Sequence, residues 1–274
     1  MNIRRLVLLL VFGIIFSSAK NTFSQQFTEI RRIKPGLAQQ AVAVDRDFLY
    51  VINNHSITKH HKIDGKLIGK WEDHNGTLKH LNSGFILNGK LYCAHSNYPE
   101  TPMACSVEIF DTRTLRHVGN HSFGIYMGSL TWINQHDGYW YAGFANYSGK
   151  RSSEGKDTRW TSIVKFNDQW QQLESWMFPE SILNQFVPMS NSGAVWGKDG
   201  LLYCTGHDKP ELYVLKIPES GFTLQLIRTI PTPSHGQGID IEYNSKNEMM
   251  LYGISREDSQ VIISVLNNSQ NGVK

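Results

Sequence analysis

The sequence predicts an all-β protein, a five-bladed β-propeller whose N-terminal strand closes the last blade. Three observations carry that expectation: a motif that returns five times, period-2 alternation between its copies, and a last copy that runs one strand short.

The motif is a pair of large apolar residues after a turn rich in Gly, Asn or Asp. Leu49-Tyr50, Leu91-Tyr92, Tyr139-Trp140, Leu202-Tyr203 and Leu251-Tyr252 mark its copies. A short apolar stretch with a small or polar start precedes each pair. Turns such as "LNGK" and "GKDG" between stretch and pair have hairpin chemistry, so the pair sits on a second strand. The segments that follow, "SVEIFDTRTLRHVGNHSF", "SIVKFNDQWQQLESWMFP" and "ELYVLKIPESGFTLQLIRTI", alternate apolar and polar residues across a turn, as third and fourth strands do. Units of roughly fifty residues and four strands read as propeller blades. A β-sandwich would explain the alternation but not the five-fold phase.

The ends of the chain fit the same scheme. After "MMLYGISR" only "QVIISVL" is left to form a strand, so the fifth blade lacks its outer one. The spare strand "QFTEIRRI", Gln26 to Ile33, can supply it and leave no open edge. "PESILNQF", Pro179 to Phe186, predicts one or two helical turns between blades.

Upstream of the spare strand, Arg4 and Arg5 precede an apolar run from Leu6 to Phe16 and then small residues. This is the form of a secretory signal peptide over residues 1–24, which leaves one propeller domain over 25–274, periplasmic or secreted, with no membrane span after cleavage. Three cysteines, Cys93, Cys105 and Cys204, leave at least one thiol unpaired and show no zinc-finger spacing. Cys93 and Cys204 each follow a Leu-Tyr pair, so both are expected in the core and not in a disulfide. A net charge of +3 without any Lys/Arg block is too weak to argue for nucleic acid, and none is expected as a partner.

In a propeller the loop leading into each first strand and the loop leaving each second strand open on one face. Leading in are Gln39 and Gln40, then His80, Asn82 and Ser83, then Ser129, then Asn191 and Ser192, then His235 and Gln237. Leaving are Asn53 and Asn54, then His95, Asn97 and Tyr98, then Asn146 and Tyr147, then His207 and Asp208, then Arg256. Turn propensity accounts for Asn, Asp and Ser at such places, but poorly for His and Arg. These residues are expected around one pocket at the channel mouth. Within "LYCAHSNYPE", His95 stands where the other copies carry Asn53, Gly143, Gly206 and Ser255, which makes it the first candidate for chemistry. A polar insertion, Asn146 to Ser162, carries Lys150, Arg151, Lys156 and Arg159, and is expected to bring Arg159 and Trp160 over an anionic or sugar ligand.

No GxSxG elbow is present, and Asp208 is the only acid in the mapped set, so serine hydrolysis and paired-carboxylate glycosidase chemistry are disfavoured. The set suits proton abstraction beside a carboxylate, followed by β-elimination. His95, Tyr98, His207 and His235 are the candidate acids and bases, and Arg256 the group that neutralises the carboxylate. His80, Asn82, Asn97, Asn146, Arg159, Trp160, Asn191, Gln237 and Arg256 are the candidate substrate-binding residues.

This His/Tyr/Arg/Gln pocket on a repeat of small blades resembles the propeller uronate lyases of bacterial polysaccharide breakdown, and in chemistry the oligosaccharide dehydratase of ulvan degradation. The resemblance implies a carbon–oxygen lyase acting on an anionic, uronate-containing oligosaccharide. It also implies, as in some members, a divalent metal ion, for which His80, His95, His207 and His235 with Gln237 would be the candidate ligands. Two alternatives stay open: a non-catalytic sugar- or protein-binding propeller, and a propeller enzyme that forms or opens lactones. A lectin would repeat one site per blade, whereas these residues differ from blade to blade.

Overall fold

The computed structural model describes residues 24–153 and 155–269, so the segment read as a signal peptide lies outside the described residues except for its last position. Five antiparallel four-stranded sheets form the ring. Blade 1 is β2 (Ala41–Val44), β3 (Phe48–Asn53), β4 (Ser56–His61) and β5 (Leu67–Glu72). Blade 2 is β6 (His80–Leu87), β7 (Lys90–Ser96), β8 (Cys105–Asp111) and β9 (His117–Gly124). Blade 3 is β10 (Ser129–His136), β11 (Tyr139–Ala145), β12 (Ser162–Phe166) and β13 (Gln172–Met177). Blade 4 is β14 (Gly193–Trp196), β15 (Leu202–Thr205), β16 (Glu211–Lys216) and β17 (Gln225–Pro231). Blade 5 is β18 (Asp240–Tyr243), β19 (Met249–Ser255) and β20 (Gln260–Ser269), completed by β1 (Ser24–Ile33). The expected closure is therefore present: β1 pairs antiparallel with β20, Phe27 opposite Leu266 and Ile33 opposite Val261. The single α-helix among the described residues, α1 (Glu180–Phe186), lies where the helical turns were expected and buries Ile182, Leu183 and Phe186. No helix among the described residues is long and apolar enough to cross a membrane.

The recurring pair has a simple physical meaning. Neighbouring side chains on a strand point to opposite faces, so each pair straddles its blade. The first member packs against the preceding blade and the second against the following one. Leu49 joins the cluster between blades 5 and 1, with Met250 and Val261. Tyr50 joins the cluster between blades 1 and 2, where Leu91 comes from the other side. Tyr92 and Trp140 share the next cluster, Tyr141 and Leu202 the one after, and Tyr203 and Leu251 the fifth. Tyr252 then returns to the interface where Leu49 began. In blade 3 the straddling pair is thus Trp140-Tyr141 and not Tyr139-Trp140, whose Tyr139 is exposed. Aromatics in three consecutive positions hid the one-residue shift. The three cysteines are buried and free, as expected for Cys93 and Cys204.

Near the axis the blades are joined by hydrogen bonds as well as packing. Leu81 N–H donates to Asn54 O at 3.0 Å between blades 1 and 2. The Asn82 amide donates to Leu130 O at 3.0 Å between blades 2 and 3. Trp132 Nε1 donates to Asn191 Oδ1 between blades 3 and 4. The Thr205 hydroxyl donates to Gln237 O at 2.6 Å between blades 4 and 5. Gly238 N–H donates to Gln40 O at 2.9 Å and closes the circle onto blade 1. The strands approach so closely here that a Cβ on Gly238 would lie 2.5 Å from Ala41 Cβ and 2.8 Å from Ser83 Cβ.

Two outcomes follow from these contacts. A Cβ at Gly143 would fall 2.0 Å from Nε1 of the buried Trp132. Gly143→Ala is therefore expected to destabilise by about 1–3 kcal/mol through overpacking, read from the midpoint of urea unfolding. The Asp240 carboxyl is buried, and burial pushes it up to about 7 from its ordinary 3.8, with nearby Glu242 adding to the rise. The N–H groups of Val44 and Ile241 and the Lys62 ammonium act in the opposite direction. Its neutral form favours the folded state, so this contribution is complete below pH 3.8 and is lost as pH rises to about 7. Unfolding titrations of the native chain should show that falling slope, and Asp240→Asn should lack it.

Candidate functional site

A cavity of about 460 Å³ opens at the mouth of the channel. Each blade supplies one residue to it from the start of its first strand and one from the end of its second. The pairs are Gln40 and Asn54, Asn82 and Tyr98, Thr131 and Tyr147, Ser192 and His207, and Gln237 and Arg256. Lys79, His80, Pro99, Arg151 and Met189 complete the lining. Lys79, Arg151 and Arg256 are cations, and among the described residues no carboxylate lines the cavity. Two acids pair with lining residues from outside it: Glu100 with Lys79 at 2.5 Å, and Asp208 with His207 at 2.6 Å.

One wall is aromatic. The Tyr98 ring lies 5.2 Å from that of His80 and 5.1 Å from that of Tyr147. Burial and the neighbouring His95 push His80 down to about 4, so it is a neutral imidazole near pH 7. Tyr147 is buried, which holds its hydroxyl well above the ordinary range and keeps it protonated.

The wall formed by blades 4 and 5 carries a polar chain. His207 Nδ1 donates to Asp208 Oδ1, and His207 Nε2 meets Arg256 Nη1 at 3.3 Å. Gln237 Nε2 donates to the His207 carbonyl at 2.9 Å and holds that loop in place. Burial draws His207 below its ordinary value, Asp208 opposes this, and Arg256 and Arg151 reinforce it. The result is a neutral imidazole, oriented by a carboxylate, with its second nitrogen beside a guanidinium. That arrangement suits a general base next to an anion clamp.

Of the candidate catalytic and binding residues, His80, Asn82, Tyr98, His207, Gln237 and Arg256 are brought together here, with Gln40, Asn54, Tyr147 and Ser192 from the mapped mouth. The remaining candidates lie elsewhere, for identifiable reasons. His95 is part of blade 2: Nε2 accepts from Lys79 N–H at 3.1 Å and Nδ1 meets Ser106 Oγ at 2.9 Å. Ser106 donates on to Glu108, which also pairs with His117. Both ring nitrogens of His95 are thereby occupied. Asn97 pins its own loop, accepting from Ala104 N–H and donating to Pro102 O. Asn146 is buried and donates to Met127 O and Trp160 O. Asn191 spends its amide on Trp132, Gly193 and Thr205. His235 is exposed and lines a second cavity.

The insertion after blade 3's second strand does not act as the expected flap through Arg159 and Trp160. Asp157 caps the short 3-10 turn Thr158–Trp160 and pairs with Arg159 at 2.7 Å, leaving that arginine on the surface. Trp160 lines a separate surface cavity with Tyr126. Arg151, on the 3-10 turn Gly149–Arg151, is the cation that the insertion brings to the central cavity, beside Tyr147. Lys79, Thr131 and Met189 were not picked out from the sequence. Lys79 was detectable, since it directly precedes His80 in a loop already placed at the mouth.

The metal implied by the resemblance does not fit these residues. The proposed ligands do not converge: His95 has both nitrogens engaged, and His235 lies in the other cavity. Among the described residues no group of three or more His, Cys, Asp or Glu side chains is placed to hold a metal ion.

The chain matches no family model and no curated protein by sequence. Among solved structures it is similar to a Bacteroides caccae protein of unknown function, with a TM-score of 0.45 at 11% identity, covering 76% of this chain and 65% of that one. The WD40 propeller domain of Doa1 gives 0.45 at 9% identity, over 84% of this chain and 79% of that one. The PQQ-bound aldose sugar dehydrogenase of Streptomyces coelicolor gives 0.48 at 13% identity, over 87% and 81%.

The electrostatic state of the aromatic wall can be measured directly. In an NMR titration His80 should show a midpoint near 4, and a midpoint at its ordinary 6.5 would contradict the half-buried, neutral imidazole.

Proposed function

We propose that this protein is a carbon–oxygen lyase that eliminates across a uronate unit of an oligosaccharide and releases an unsaturated uronate. The observation that carries this reading is the Asp208–His207–Arg256 chain in a cavity with three cations and, among the described residues, no lining carboxylate. Such a cavity favours an anionic ligand. Its side-chain amides and hydroxyls suit the hydroxyl groups of a sugar. Five different pairs of residues around one axis make a single asymmetric site, unlike the repeated sites of a lectin.

In this scheme Arg256 binds the uronate carboxylate and withdraws charge from it, which acidifies the adjacent C–H. As Arg256 turns to the carboxylate, His207 Nε2 becomes free to take that proton, and Asp208 stabilises the imidazolium that forms. The C–H electrons become the new double bond, and the bond from the next carbon to its oxygen breaks. Tyr98 gives its hydroxyl proton to the departing oxygen. Water leaves when that oxygen is a hydroxyl, and a sugar alcohol when it is glycosidic. His80, neutral and against the Tyr98 ring, is a hydrogen-bond partner here and not the base.

The test is incubation with uronate oligosaccharides while the ultraviolet absorbance of the conjugated product is followed. His207→Ala should lower kcat by about a hundredfold or more, and Arg256→Gln should raise KM. The base must be neutral, and its value lies below 6.5, so the acid limb of kcat/KM should fall below pH 6.5. Absence of any absorbance change with every uronate would exclude the lyase.

A further inference from the structure

A second cavity, of about 450 Å³, adjoins the central one above blades 4 and 5. His207 and Arg256 line both, so the two are separated only by the pair to which catalysis is assigned. We infer that this second cavity seats the sugar next to the reacting uronate, and that this neighbour is uncharged. The inference rests on the proposed elimination at the central site.

Continuity places the neighbour there. With its carboxylate on Arg256, a uronate in the central cavity has its adjoining unit at the rim that Arg256 shares with the second cavity. Charge selects the kind of neighbour. Asp208, Glu257 and Asp258 all line this cavity. Its cations are largely committed: Arg32 pairs with Glu29 at 2.8 Å and with Asp258 at 2.9 Å, and Arg256 is assigned to the reacting unit. Three carboxylates against two guanidiniums leave the lining one negative charge in excess. A second carboxylate or a sulfate is repelled, whereas hydroxyl groups find acceptors in the same acids. His235, read from the sequence as an acid or base, is exposed at this cavity, where it can contact the neighbouring sugar but not the reacting carbon. The chain thus distinguishes its two sites by sign, a cationic pocket for the uronate and an acidic one for what precedes or follows it.

The test compares three ligands on the full chain: a free uronate, a disaccharide of uronate and neutral sugar, and a disaccharide of two uronates. Binding is followed by calorimetry and product by ultraviolet absorbance. The mixed disaccharide should exceed both others in kcat/KM by about tenfold, the worth of one or two added hydrogen bonds. Glu257→Arg should raise kcat/KM for the two-uronate disaccharide by a similar factor and narrow its gap to the mixed one. If all three ligands react equally, or Glu257→Arg leaves the ratio unchanged, the central site stands and the second cavity is not a subsite. If no uronate of either length binds or reacts, the proposed elimination falls and this inference with it.

Discussion

The circle of hydrogen bonds near the axis is the constraint on which the rest of the molecule depends. Five flat sheets can pack side by side through apolar faces alone, but packing does not fix where their inner ends meet. The links from Leu81 to Asn54, Asn82 to Leu130, Trp132 to Asn191, Thr205 to Gln237 and Gly238 to Gln40 do fix it. Buried polar groups without partners are expensive, so each link is also a condition for burying the strand ends at all. The close approach at Gly238 shows how little slack the ring retains.

This constraint divides the polar residues at the mouth into two populations. Some serve the ring: Asn191 has no polar group left over, and Asn146 and Asn97 hold their own loops. Others serve both. Asn82 bridges to blade 3 and still lines the cavity, and Gln237 accepts through its backbone while its side chain anchors the His207 loop. The loop of the base proposed for the reaction is therefore held by a residue that also links blades 4 and 5. His95 holds a comparable position one layer out: it fixes the backbone of Lys79, the residue before His80, without touching the cavity.

The fold was legible because its signal is periodic. A pair that must straddle a blade recurs at every blade, and even the misplaced copy at Tyr139 was off by one residue. The site was legible only in part, because turn position is visible in the sequence and side-chain direction is not. The repeat correctly brought Tyr98, His207 and Arg256 to one face. It could not show that the two residues of "HSN" that looked most chemical, His95 and Asn97, are consumed by Ser106, Lys79, Ala104 and Pro102. Nor could it show that an aspartate two residues earlier would hold Arg159 at the surface. Hydrogen bonds between segments far apart in sequence decide which polar residues remain free, and no local pattern records them.

The closing strand has a temporal consequence. As the chain is synthesised, β1 is made first and its partner β20 last, so the first strand has no sheet to join until every other blade exists. Arg32 sits on that strand, pairs with Asp258, and lines the cavity beside the His207–Arg256 pair. Ring closure and completion of that cavity are consequently one event. A partly made or partly unzipped chain presents no finished pocket, and competence for its ligand arrives together with the final seam.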